Sequence, residues 1–138
     1  MKVCGVELKG NEAILVLLQG QEACFELLDH VTRKITLKDS DCAAEVSLFR
    51  KAVDDFMANN RVEKILIKKR AKKGKFAGGP DTFKMEALIQ IISGPEVVLV
   101  SPQALATMEK KRSISFPAPL LKYQQTAFLA GVWGLVHI

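Results

Sequence analysis

Three strand-like runs follow one another at the start of the chain, Lys2 to Leu8, Glu12 to Gln19 and Glu22 to His30, each rich in Val, Ile, Leu, Cys or Phe. Only Gly10-Asn11 and Gly20 separate them, and these residues accept the positive φ that tight turns require. Connections this short leave no room for a crossover, so neighbouring strands must run antiparallel as a three-stranded meander. Thr32 to Lys38 alternates Ile35 and Leu37 with polar residues. It either extends the third strand or forms a short edge of its own.

After this opening the hydrophobic period changes. Phe49, Ala52, Val53, Phe56 and Met57 recur at helical spacing behind a cap-like Asp39-Ser40-Asp41, which predicts a helix from about Ser40 to Ala58. Val62 to Lys69 reads as a buried strand. A second helix is predicted from about Asp81 to Ile92, with Leu88, Ile91 and Ile92 as its apolar contacts and Gly94-Pro95 as its stop. Glu96 to Val100 is a short buried strand, and Ser101-Pro102 starts a third helix that ends near Lys110-Lys111-Arg112. Phe116-Pro117-Ala118-Pro119 is a rigid connector into a last helix, about Leu120 to Val136, apolar on most sides. Strands that alternate with helices imply right-handed crossovers and parallel pairing. The expectation is one α/β domain over residues 1–138, a mixed five-stranded sheet with helices on both faces.

A chain of 138 residues is too short for two separate cores. With about half its residues apolar and a quarter charged, it can bury a sizeable one. No apolar run reaches the length that spans a bilayer, and the first residues lack the order of a signal peptide, so a cytoplasmic protein without a membrane partner is expected. Cys4, Cys24 and Cys42 make an odd count with no CxxC spacing, which predicts reduced thiols in or near the core and neither a disulfide framework nor a zinc site. His30 and His137 stand apart from each other and from any cysteine, and surface positions without a role are expected for both.

The charge is concentrated in one place. Six of the eight residues from 68 to 75 are basic, namely Lys68, Lys69, Arg70, Lys72, Lys73 and Lys75, and removing them from the formal +5 leaves −1. A local field of one sign attracts polyanions. The run leaves the end of a strand, where α/β sheets commonly hold ligands, and continues into Phe76-Ala77-Gly78-Gly79-Pro80. A mobile, glycine-rich loop is expected there, with backbone N–H groups able to approach an anion and Phe76 able to stack on a base. A charge run of this kind is also what a plain solvated surface looks like. Neither a Walker loop nor GxGxxG is present, which excludes nucleotide hydrolysis through those devices.

In element order, and in the strings Val3-Cys4-Gly5-Val6-Glu7, Ile65-Leu66-Ile67 and Ala127-Phe128-Leu129-Ala130, the chain resembles the ribonuclease H-like fold. More specifically it resembles Holliday-junction resolvases of the RuvC type. As a whole it looks closest to a bacterial family of uncharacterised proteins with that architecture. The resemblance implies carboxylates on the first strand, at the end of the fourth strand and on the last helix, together holding two divalent metals that activate water against a phosphodiester. Glu7 matches the first-strand acid and is the candidate metal ligand. The other positions fall on or near Lys68, Tyr123 and Thr126, which are a cation and two poor ligands for a hard divalent ion. The usual metal cage therefore looks dismantled.

Glu86 in the second helix is the remaining acid that a rearranged catalytic pair with Glu7 would draw on; Asp39, Asp41, Glu45 and Asp81 read more simply as helix-start residues. Three functions follow. One is a catalytically degenerate domain that binds DNA, RNA or another phosphate ligand through residues 68–75. Another is a nuclease requiring Mg or Mn, with Glu7 and Glu86 in a rearranged site. The third is a protein-interaction module, with a homodimer as one form it can take, whose basic loop meets an acidic partner.

Overall fold

The structure is a computed structural model that describes residues 1–22, 24–30, 32–75 and 77–137. The opening meander is β1 (Lys2–Lys9), β2 (Glu12–Gln21) and β3 (Cys24–Leu28). β4 (Lys34–Thr36) follows, then α1 (Ala43–Asn59), β5 (Lys64–Lys68), α2 (Pro80–Gln90), β6 (Glu96–Val100), α3 (Pro102–Arg112), a 3-10 turn (Lys122–Gln124) and α4 (Gln125–Val136).

The sheet order is β3-β2-β1-β5-β6, with β4 paired to β2. β1 is central: it pairs antiparallel with β2 and parallel with β5, Val6 standing opposite Ile67. The described sheet thus has six strands instead of five. Thr32 to Lys38 carries the β3 edge onward as a separate short strand. Its central part pairs with the first half of β2, Glu12 opposite Thr36, while β3 takes the second half. Both short strands run antiparallel along the same edge of β2, because β1 occupies the other edge, so β4 lies in line with β3.

Helices cover both faces. Cys4, Val6, Leu8, Ile65 and Ile67 join Phe49, Val53 and Met57 of α1 and Met85 and Ile89 of α2 in one apolar layer. Val3, Val16, Leu18 and Leu66 join Leu105 and Met108 of α3 and the apolar faces of α4 in the other. Along β1 the side chains therefore alternate between the α1/α2 side and the α4 side. Glu7 and Lys9 fall in the set of Val3 and Gly5, facing α4.

α4 lies unusually close to the sheet, and Gly5 is the reason. A Cβ on Gly5 would collide with the Ala127 carbonyl oxygen and lie 2.7 Å from the Gly131 amide nitrogen. Backbone thus packs on backbone, which fixes the height and position of α4 over β1.

Several boundaries differ from those read in the sequence. α1 begins at Ala43 behind Cys42, and the aspartates before it form a turn in which the Asp41 N–H donates to Asp39 Oδ1 at 3.0 Å. Ile91, expected as a contact of α2, is exposed, and the buried residues of that helix are Thr82, Met85 and Ile89. α4 starts five residues later than expected because the 3-10 turn takes the first residues of its run; the buried Gln124 Oε1 accepts the Leu121 N–H at 3.1 Å.

Among the cysteines, Cys4 is buried, in keeping with a core thiol, and Cys42 is half-buried, whereas Cys24 is exposed, against the expectation of a core or near-core position. β2 lies between their strands. Burial pushes the Cys4 thiol up to about 12. His30 is not a bare surface residue. Its ring nitrogens lie 3.1 Å from the Leu28 carbonyl and 3.2 Å from the Leu15 carbonyl, and the ring meets Phe56 edge-on, so it ties the end of β3 to β2 and α1. Among the described residues no helix is long and apolar enough to cross a membrane.

Candidate nucleic-acid interface

Two features meet where β5 and β1 end. The first is the basic segment that leaves β5. The Lys69 N–H still donates to the Val100 carbonyl at 2.8 Å, prolonging the β5–β6 ladder by one residue. The chain then turns back: Ala71 bridges Ala77, the Gly78 N–H donates to the Ala71 carbonyl at 2.8 Å, and the Ala77 N–H to the Gly74 carbonyl at 3.2 Å. Gly74, at φ +99°, sits at the bend where a side chain would be strained. The glycine-rich segment is thus tied back on itself by hydrogen bonds. Phe76 lies outside the described residues.

This closure divides the six basic residues. Lys69, Lys72, Lys73 and Lys75 are exposed around the bend, whereas Arg70 and Lys68 are half-buried. Arg70 packs beneath Gly78, where a Cβ would come within 2.8 Å of Arg70 Cβ and 3.0 Å of its Nε. That Nε is out of solvent with no hydrogen-bond partner in the protein, and so is Glu86 Oε2. Glu86 is held under the loop rather than in a cleft: it accepts a hydrogen bond from the Arg70 backbone and faces Lys69 and Lys72. Loss of solvent around Glu86 outweighs those cations and raises its pKa.

The second feature is a surface cleft of about 640 Å³ lined by Glu7, Lys9, Leu121, Lys122, Tyr123 and Thr126. Its position follows from the packing of α4: once Gly5 seats Ala127 and Gly131, Thr126 and the 3-10 turn must lie over the end of β1. Tyr123 is exposed and carries Lys34 Nζ at 4.4 Å from its ring centroid; the same ammonium lies 3.8 Å from Glu12 Oε1. Lys68 joins this side of the sheet. Leu66 belongs to the α4 layer, Gly5 stands opposite Leu66, and two residues further along each strand come Glu7 and Lys68. They are neighbours on one face.

The structure therefore gathers Glu7, Lys68, Tyr123 and Thr126 at one place. It does not bring Glu86 to Glu7, because α2 packs on the opposite face of the sheet. Among the described residues no group of three or more His, Cys, Asp or Glu side chains converges as a metal site. Glu7 beside a lysine, a phenol and a hydroxyl does not fit a divalent-metal cage, which needs several anionic oxygen ligands. Lys9 and Lys122 went unnoticed in the sequence. The signals that place them are the two-residue step from Glu7 to Lys9 and the four-residue step from Lys122 to Thr126.

The fold is that of RuvC-type resolvases, a ribonuclease H-like architecture. Thermus thermophilus RuvC solved with a Holliday junction substrate superposes with a TM-score of 0.75 at 11% identity, covering 99% of this chain and 94% of that one. Thermus thermophilus RuvC alone gives 0.73 at 12% identity, over 96% and 92%. The fowlpox virus resolvase in complex with Holliday junction DNA gives 0.54 at 13% identity, over 99% and 95%. No curated protein matches by sequence. A family model described as "Protein of unknown function (DUF3010)" matches residues 1–133.

Proposed function

The chain belongs to that DUF3010 family, and on this premise we propose that it is a ribonuclease H-like nucleic-acid-binding domain that works without two-metal phosphodiester cleavage. The observation that carries the reading is the replacement at the end of the central strands: where several carboxylates would be needed to hold metals, Glu7 is joined by Lys68, Tyr123 and Thr126, and four exposed lysines stand on the adjoining bend. Such a surface repels divalent cations and attracts phosphates. That two resolvases of this fold were solved with Holliday junctions supports a branched or duplex DNA ligand.

The grip is electrostatic. Lys69, Lys72, Lys73 and Lys75 project from a bend held by the Ala71–Ala77 bridge, so their positions are partly fixed before binding and less chain entropy is lost on contact. Phosphate contacts of this kind give affinity with little base preference. Glu86 beneath the bend is assigned to loop positioning, and Glu7 to the cleft wall; neither is given a catalytic step. No Mg or Mn is required by this reading.

The test is fluorescence anisotropy with labelled single-stranded, duplex and four-way-junction DNA over a salt series with magnesium present, followed by inspection of the recovered DNA. The expected result is binding with a log–log salt slope of about −3 to −5, as several phosphate contacts produce, and no cleavage. Cleavage lost in Glu7→Gln would establish the nuclease instead. No binding at low salt would reject the reading and direct attention to protein partners.

A further inference from the structure

Lysines from four separate elements converge on the cleft beside Glu7. Lys9 ends β1, Lys122 opens the 3-10 turn, Lys68 ends β5 on the same face, and Lys34 of β4 rests on the Tyr123 ring. Lys34 is already engaged by Glu12 and Tyr123. Lys9 and Lys122 line the cleft against the single carboxylate of Glu7, a formal +1, and Lys68 on the neighbouring strand brings the local total to +2.

We infer that this cleft is a second, metal-independent phosphate site, and that it forms one continuous track with residues 69–75 along which a nucleic-acid backbone lies. The inference rests on the nucleic-acid reading above and adds where the strand goes and what neutralises it. Lys68 is the link: it is the last residue of β5 before the basic bend and the neighbour of Glu7 across the β1–β5 pair. Lys9 and Lys68 end adjacent strands, one spacing of about 4.8 Å apart, and the exposed lysines of the bend carry the positive surface on past Lys68, a reach that exceeds one phosphate and suits a polyanion.

The chemistry of the cleft is right for an anion and wrong for a cation. Tyr123 and Thr126 offer hydroxyl donors beside the ammonium groups, so a phosphate there meets charge and directed hydrogen bonds together. A divalent ion meets one carboxylate and two lysines, with Lys68 beside them. The site thus places positive charge where metals would otherwise be needed to neutralise a backbone, and binding needs no metal.

Lys9 and Lys122 are exposed, and replacing both leaves the core untouched. Three proteins are compared by anisotropy on labelled four-way-junction DNA: the native chain, the double variant Lys9→Ala/Lys122→Ala and the double variant Lys72→Ala/Lys73→Ala. Each is measured in EDTA and in millimolar magnesium, with circular dichroism melts to verify the fold. The cleft variant is expected to bind roughly 10- to 50-fold more weakly near 0.1 M salt, with a salt slope shallower by about 2, the equivalent of two lost phosphate contacts. Native binding is expected to survive EDTA.

If the cleft variant binds like the native chain while the bend variant is weakened, the track is wrong and the nucleic-acid reading stands. If native binding disappears in EDTA, metal independence is wrong. If the native chain binds no DNA in either buffer, both readings fall.

Discussion

Replacing Gly5 by alanine should destabilise the protein more than any other one-carbon addition on the α4 face, and the structure sets the size of the effect. The new Cβ would collide with the Ala127 carbonyl oxygen and lie within 2.7 Å of the Gly131 amide nitrogen. Both obstacles are backbone, so no rotamer change relieves them. Either β1 bows or α4 lifts away from it, a shift that loosens the Phe128, Val132 and Leu135 contacts of the α4 layer. Overpacking a core typically costs 1–3 kcal/mol, and a backbone-to-backbone clash belongs at or above the upper end, about 3 kcal/mol. For a domain of this length that corresponds to a fall in Tm of about 10 °C, at roughly 3–4 °C per kcal/mol.

The assay is thermal unfolding followed by circular dichroism, with urea unfolding as a second route to the free energy. Gly79→Ala is the control, because an added Cβ there meets nothing within 4 Å and φ is −70°, and it should cost less than about 1 kcal/mol. A Gly5→Ala protein that melts within about 3 °C of the native chain would refute the claim that this contact sets the height of α4. It would also remove the account of why Thr126 and Tyr123 overhang Glu7.

Four further outcomes are expected. Arg61 sits at φ 54° just after α1, its N–H donating to Ala58 and that of Val62 to Met57, the hydrogen bonds of a left-handed helix stop; Arg61→Gly should stabilise by about 0.5–1 kcal/mol, read as a rise in urea midpoint. Cys24 should react with a thiol reagent in the native protein at neutral pH, while Cys4, buried with its pKa pushed up to about 12, should react only after denaturation; early loss of two thiols with Cys42→Ser in place would contradict this. Burial raises the pKa of Glu86, so the folded state holds that proton more tightly than the unfolded state and stability falls as pH rises through the folded pKa. The gain in Tm from Glu86→Gln should therefore be larger at neutral pH than at pH 4, and the reverse order in calorimetry would refute the assignment. Finally, Lys68→Glu together with Thr126→Asp would put three carboxylates around the cleft with Glu7. A Mn dissociation constant of about 1 mM would then raise stability by about 1.4 kcal/mol at tenfold excess, seen as a metal-dependent rise in Tm absent from the native chain.

Much of the architecture was legible because its signals are local. Gly10 and Gly20 do adopt positive φ, at 60° and 145°, and the runs they separate become β1 to β3. The alternation of β5 and β6 with helices gave the parallel half of the sheet. β4 was ambiguous for a physical reason: three residues carry too little pattern to show whether the third strand runs on or breaks, and it is the length of β2 that lets β4 follow β3 along the same edge. The late start of α4 depends on Gln124 folding back to Leu121, a local hydrogen bond that helical periodicity does not register. The facing of Glu7 was illegible because a strand presents two sides, and only the seating of α4 on Gly5 decides which of them is the cleft.

The site separates into two kinds of information. Where the cleft lies is dictated by apolar and glycine contacts, Gly5 against Ala127 and Gly131, and Gly134 against Leu66, none of which lines it. What the cleft can hold is dictated by a few side chains at its rim, Glu7, Lys9, Lys68, Lys122, Tyr123 and Thr126, which contribute little to the core. Substitutions at the rim therefore change charge and chemistry at small cost in stability, while substitutions beneath it change stability before chemistry. This is how a chain with 11% identity to a resolvase can keep its fold over 94% of that protein's length. The same division explains why the basic bend is tolerated: it leaves the sheet after Lys68, closes through its own backbone, and asks nothing of the core except the packing of Arg70 under Gly78.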